Sequence, residues 1–357
     1  MRVLQILLPV GMGGVESIAN MLDHYLNDKG YESYIAIGKS YYKQYLRKFN
    51  NNNEDIRYIP ISDSNLIRSI LDIKRTINNI HPDIIQTHAR RECVYTCLCT
   101  NQVAHIRTQH MEEAPTIKVS KLEKLLLDNR VTAWVATSEK LKNDYFRKLS
   151  YIDQDKIKVI YNGVEDTFKN SGLSQHNTPS FCLISRLTKQ KGIDILLSQL
   201  AKFPTYLLDQ IHIDIWGEGP ELNNIQKLIQ TNHLSSIVAY KGPTDNPRAV
   251  FNNHSALLMP SRYEGLPLTM LESMSYRLPV ATHDVGCCSE FIKNKYNGWI
   301  VKSDYTWQNF FTDFIQMSND EYQKIADNAR KTFCDKFEKS IMCSNYCDLY
   351  RRSIETE

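Results

Sequence analysis

Several absences bound this 357-residue chain before any motif is considered. No apolar run approaches the ~20 residues a bilayer-crossing helix needs. Residues 1–10 are apolar, but the stretch is short, runs into a glycine turn and lacks a cleavage-type flank, so no secretory signal is expected. Glycine (14) and proline (12) are sparse, which excludes collagen-like and low-complexity architectures. Neither charge dominates: 43 Lys+Arg against 40 Asp+Glu leave +3, too little to argue for a nucleic-acid partner. Cysteine is present nine times, an odd number, without a C-x-x-C pair or Cys/His zinc spacing. Reduced thiols in a cytoplasmic protein are the expectation. No G-x-G-x-x-G occurs, and no D-x-D ends a strand, since Asp153-Gln154-Asp155 precedes one. A metal-free chemistry with no bound cofactor is therefore expected.

What is there describes a folded α/β chain. Hydrophobic residues make up 42% and charged residues 23%, and the length suits two domains. Residues 1–165 carry 23 basic and 19 acidic side chains, against 20 and 21 in the remainder, so the mild basic excess sits in the first half. Short apolar runs alternate with amphipathic stretches. Strands are expected at 3–10, 33–38, 56–59, 83–87, 105–108, 133–137 and 156–160, with helices at 15–29, 66–80, 116–127 and 138–149. Residues 168–179 are polar and aperiodic, a linker by composition. The pattern then restarts, with strands at 180–184, 211–216, 237–240, 256–259, 279–282 and 299–301. Helices are expected at 192–201, 221–231, 267–276, and from 305 and 320 onward. Strands separated by helices imply parallel sheets, whose ligands bind beyond the carboxyl ends of the strands.

Four places after strands carry residues suited to chemistry. Gly11-Met12-Gly13-Gly14 lies between a strand and a helix, where it is either a plain tight turn or a phosphate-binding helix start. Arg186 and Lys191 straddle the loop after 180–184, either as solvated charges or as two cations converging on a diphosphate. Glu264 precedes a helix that Pro267 can open, and Glu272 follows eight residues later, roughly two turns on. Two such carboxylates suit a polyhydroxylated ligand, each accepting hydroxyl hydrogen bonds, unless Glu264 merely complements the helix dipole. His88 and His110 end consecutive strands and share an edge of the sheet.

Taken in order, these segments resemble the retaining glycosyltransferases of family four, as found in bacterial cell-surface polysaccharide synthesis. The resemblance rests on Gly13-Gly14-Val15-Glu16, residues 159–164, Ser185-Arg186-Leu187 with Lys191-Gly192, Trp216-Gly217-Glu218-Gly219-Pro220, and Glu264-Gly265-Leu266-Pro267 running into Glu272. Pro279-Val280-Ala281 and Asn297-Gly298 close the series. It implies the GT-B fold: α/β, two Rossmann-like doubly wound domains facing a cleft, 1–167 on the acceptor side and 168–334 on the donor side. A last helix crosses back so that about 335–357 completes the first domain, the run 333–350 serving as a brace, and closure about the linker excludes water.

The same resemblance implies transfer of a hexose-type sugar, with retention, from a nucleotide-diphosphate sugar to a glycan or lipid-linked hydroxyl. A uridine diphosphate donor is favoured over a guanosine one. Arg186 and Lys191 would neutralise the diphosphate, Glu264 would meet the transferred sugar and Glu272 the ribose. Gly265 and Leu266 would present backbone amides to the donor, and Gly13 and Gly14 would let the first loop approach it. His110 resembles the family's active-site histidine. The pattern departs at Gly286-Cys287-Cys288, where a thiol replaces the usual second glycine. Cys287 is read as a packed hydrophobe rather than a reactive thiol. The basic groups Arg90-Arg91, Lys118, Lys121, Lys124, Lys140, Lys142 and Arg147-Lys148 suit peripheral contact with an anionic membrane on its cytoplasmic face. Two other functions share the framework: a nucleotide-sugar epimerase, and a non-catalytic nucleotide-sugar-binding protein.

Overall fold

In a computed structural model of the chain, residues 1–8, 13–49, 57–111, 120–149, 151–168 and 179–355 are described. They form two compact units, Met1–Gly163 with Lys339–Glu357, and Val164–Glu338. The expected linker at 168–179 lies almost wholly outside the described residues, as do Gly11, Met12 and Lys118.

The first unit is built on a seven-stranded parallel sheet ordered β3-β2-β1-β4-β5-β6-β7. Its strands are β1 (Arg2–Leu7), β2 (Glu32–Gly38), β3 (Tyr58–Ile61), β4 (Ile84–Thr87), β5 (Ala104–Gln109), β6 (Ala133–Ala136) and β7 (Ile157–Val159). Continuous runs such as Val-Leu-Gln-Ile-Leu suit strands covered by helices on both faces. Two apolar layers flank the sheet, one around Ile6, Ile73 and Ile85 and the other around Ala19, Ile37 and Tyr45. The helix Leu66–Ile80 has the expected bounds because its ends are chemically marked. Asn65 accepts the Arg68 N–H at 3.0 Å, and His81 ends it in the left-handed region.

The second unit carries six parallel strands in the order β10-β9-β8-β11-β12-β13. These are β8 (Ser180–Ile184), β9 (His212–Trp216), β10 (Val238–Gly242), β11 (Ala256–Met259), β12 (Val280–His283) and β13 (Gly298–Val301). Phe181, Trp299, Trp307, Phe310, Phe311 and Phe314 fill one face, their rings tilted or edge-on to one another.

The aromatic tail is two elements rather than one brace. The helix Asn319–Lys336 belongs to the second unit and ends at Phe337, whose carbonyl accepts the Val164 N–H at 2.9 Å. The helix Lys339–Glu355 belongs to the first. There Tyr346 Oη lies 3.1 Å from Thr108 Oγ1, and the Tyr350 hydroxyl donates to Gln86. Met342 Sδ accepts the Gly163 N–H at 3.1 Å.

Candidate active site

In each sheet the strand order reverses once, and the loops beside that reversal are where open parallel sheets hold ligands. In the second unit the reversal falls between β8 and β11. The loop after β8 carries Arg186 and Lys191, and the loop after β11 carries Ser261, Glu264 and Gly265. Their carboxyl-end loops line a small open depression whose walls include Ser185, Lys191, Pro260, Ser261, Glu264 and Thr269.

Glycine makes this approach feasible. Gly192 has φ +65°, and a Cβ there would overlap the Pro260 carbonyl. Gly286 has φ +54°, and its Cβ would overlap the Glu264 carbonyl. Backbone bonds then stitch the loops. Arg262 N–H donates to Gln190 O at 2.8 Å, and Gln190 Nε2 donates to Tyr263 O at 3.1 Å. The Arg262 guanidinium grips Asp194 through two bonds of 2.7 Å, which hold the Asp194 carboxyl below its ordinary value.

Lys191 and Glu264, 73 residues apart, meet in this frame. Lys191 Nζ lies 2.7 Å from Glu264 Oε1, which also accepts from Ser261 Oγ at 2.6 Å. The Glu264 side chain is 6% exposed and that of Lys191 20%, so this is a largely dehydrated pair. Arg186 is exposed, and among the described residues no carboxylate partners it. Glu272 is half-buried. Its helix spans Leu268–Ser275 with Pro267 as the residue before the first turn, so Glu272 lies about one turn inside the helix rather than two.

Two supports had no local sequence signal. Trp307 Nε1 donates to His283 Nε2 at 3.0 Å, leaving His283 Nδ1–H to donate to Ser261 O at 3.2 Å. Cys287 Sγ donates to Gly265 O at 3.0 Å, and burial pushes this thiol well up, so it is a packed, protonated side chain.

In the first unit the reversal falls between β1 and β4. Gly13 and Gly14 enter the helix Gly14–Asp28, and the Gly13 amide donates to its own helix's Glu16 at 2.8 Å. At this turn, read from the sequence as either a plain tight turn or a phosphate-binding helix start, the Gly13 amide thus has an acceptor within its own helix. Parallel pairing of Thr87 with Arg107 brings the next loops together. His88 Nδ1 lies 3.1 Å from His110 Nε2, the rings stacked at 5.4 Å. Burial, with the Arg107 cation, lowers both imidazoles, His110 to about 3. Glu92 Oε1 accepts the His88 and Ala89 backbone N–H groups at 3.2 and 2.5 Å, and burial pushes its carboxyl up to about 7.

Nearby, His105 Nε2 lies 2.9 Å from Thr87 Oγ1 and its Nδ1 lies 3.5 Å from Cys97 Sγ, so both ring nitrogens are engaged within the core. Of the basic groups expected at a membrane, Arg90 is committed to the fold. Its guanidinium holds Glu123 at 2.7 and 2.8 Å, with both side chains mostly covered.

Comparison with known proteins divides the chain in the same way. Residues 12–168 match the model of Glycosyltransferase Family 4, and residues 164–332 match that of Glycosyl transferases group 1. The chain is similar to the O-antigen biosynthesis glycosyltransferase WclY of Escherichia coli, at 26% identity over 56% of this chain and 57% of that one. It is also similar to the poly(ribitol-phosphate) alpha-N-acetylglucosaminyltransferase of Staphylococcus aureus, at 23% identity over 88% of this chain and 62% of that one. These matches therefore span about three-fifths of either relative. Among solved structures, Anabaena Alr3699/HepE in complex with UDP superposes with a TM-score of 0.81 at 17% identity, covering 99% of this chain and all of the other, so the fold is GT-B.

Proposed function

We propose that this chain, whose two halves match the models of Glycosyltransferase Family 4 and Glycosyl transferases group 1, transfers a hexose from a nucleoside-diphosphate sugar to a hydroxyl of a glycan or lipid-linked acceptor in surface polysaccharide synthesis. A uridine diphosphate donor is favoured because the HepE structure carries UDP. The observation that carries the reading is the Lys191–Glu264 pair beside the strand reversal of the second unit.

An ammonium has three donors, so Lys191 can keep Glu264 while it gains diphosphate oxygens. Arg186 supplies a second cation as a planar fork. Together they stabilise the charge that grows on the departing diphosphate, the role a metal plays elsewhere. Glu264, held by Lys191 and Ser261, accepts hydroxyls of the transferred sugar, and Glu272 accepts those of the ribose. The Gly265 and Leu266 amides complete the donor contacts, with Gly13 and Gly14 giving the first loop close approach. His110 meets a hydroxyl of the sugar. Transfer proceeds with retention and without a metal, the diphosphate taking the acceptor's proton.

Radiolabelled nucleotide sugars incubated with extracted membranes test this directly. Label entering lipid or polysaccharide, at an unchanged rate with a chelator, is the expected result. Epimerised free sugar formed without acceptor would overturn it.

A further inference from the structure

A row of hydrogen bonds in the first unit determines which nitrogen of His110 carries a hydrogen. It begins at Gln5, buried in β1, whose Nε2 donates to Ala19 O at 2.9 Å. The opposite amide orientation would set two oxygens against each other, so the Gln5 oxygen faces His88. His88 Nε2 lies 3.2 Å from that oxygen and must be the donor. In a neutral ring the other nitrogen is then bare. This bare Nδ1 lies 3.1 Å from His110 Nε2, which must therefore hold the hydrogen.

We propose that Gln5 and His88 are positioning residues that fix His110 as the Nε2–H tautomer, leaving its Nδ1 a bare hydrogen-bond acceptor for a hydroxyl of the donor sugar. The hydroxyl part rests on the proposed transferase function; the tautomer does not. Among the described residues nothing bonds His110 Nδ1. His88 stays neutral because it is buried beside the Arg107 guanidinium, which is turned to Thr108 O and Gln109 Oε1. Glu92 fixes the His88 backbone rather than its ring. An acceptor nitrogen attracts hydroxyls and offers nothing to phosphate oxygens, so this corner is suited to a sugar hydroxyl.

The test is a long-range proton–nitrogen correlation spectrum of the full chain labelled with [15N]histidine, unliganded, at pH 7. His110 is expected to show a protonated Nε2 and a bare Nδ1, and His88 likewise. A protonated Nδ1 on His110, or a charged ring, would overturn the proposal without any variant. Gln5→Leu removes the first acceptor and should move both His110 nitrogens toward averaged shifts. An unchanged His110 pattern in Gln5→Leu would show that the row does not set the tautomer. With labelled donor, Gln5→Leu should lower kcat about tenfold, the worth of one hydrogen bond. Donor KM should stay within about twofold. Averaged shifts with unchanged kcat would overturn the sugar-hydroxyl contact while leaving the tautomer standing, and failure to bind any nucleotide sugar would strike the transferase reading alone.

Discussion

Both sheets reverse their strand order once, yet the chemistry assembled at the two reversals is opposite in kind. In the first unit the polar groups are neutral imidazoles stacked in a covered row, each bonded inward to the next. In the second they are a cation and a carboxylate that satisfy each other. One topology therefore serves two tasks. A neutral row with a single bare acceptor suits a hydroxyl, whereas an ion pair can accommodate an arriving anion at its cationic partner. The supports differ correspondingly. The first is held by buried hydrogen bonds, the second by glycine-permitted loop contact.

The largest expected effects break the charged side of this contrast. Lys191→Ala should lower kcat/KM by about 10²–10³-fold, the scale of losing one group that stabilises developing charge. Glu264→Gln should separate binding from turnover: diphosphate affinity is retained or improved as Lys191 loses its charged partner, while kcat falls by about 10²-fold. A matched loss of affinity in both variants would mean that the pair acts as one structural unit.

Next in size is the loop contact. Gly192→Ala combines a left-handed backbone, which alone costs about 1–3 kcal/mol, with overlap on the Pro260 carbonyl that adds to it. A scanning calorimeter should find the melting of the second unit lowered by several degrees and that of the first unmoved. Equal shifts of both would show that the strain is not confined to this loop contact.

The smallest effect concerns acid, and it acts on the first unit. A folded His110 lowered to about 3, against an ordinary 6.5, binds fewer protons than the unfolded chain as pH falls below 6.5. Stability is thus lost on going from pH 7 toward 5, and His88 acts in the same direction. Glu92, raised to about 7 from 4.5, works oppositely and stabilises as pH falls through that window. His110→Gln should therefore remove a destabilising contribution on going from pH 7 to 5, and Glu92→Gln a stabilising one. Melting temperatures at pH 7 and 5 check both signs.

Much of the framework is readable from local pattern, and the misses have physical reasons. Leu66–Ile80 is marked at both ends, so its bounds follow from the residues. The helix Arg90–Cys99 escapes because its buried face is Cys93, Thr96 and Cys97, small groups that make no apolar stripe. The helix Lys39–Phe49 did carry a signal in Tyr42, Tyr45, Leu46 and Phe49 at helical spacing, within a strongly basic stretch. For the sites, strand order announces which loops matter, and the histidines at consecutive strand ends meet as their positions suggest. The contact of Lys191 with Glu264 is invisible locally, because the two lie 73 positions apart and meet only through β8 lying beside β11. The same holds for the Arg90–Glu123 pair and for the His283 and Cys287 supports.

Lys191 as the diphosphate cation is central to the proposed chemistry of the second unit. Calorimetric titration of uridine, uridine diphosphate, guanosine and guanosine diphosphate into the wild-type chain and Lys191→Ala tests it without an acceptor. One diphosphate should bind the wild type far more tightly than its own nucleoside, and that advantage should collapse by tenfold or more in the variant while nucleoside affinity holds. A diphosphate advantage of the same size in both proteins would contradict it.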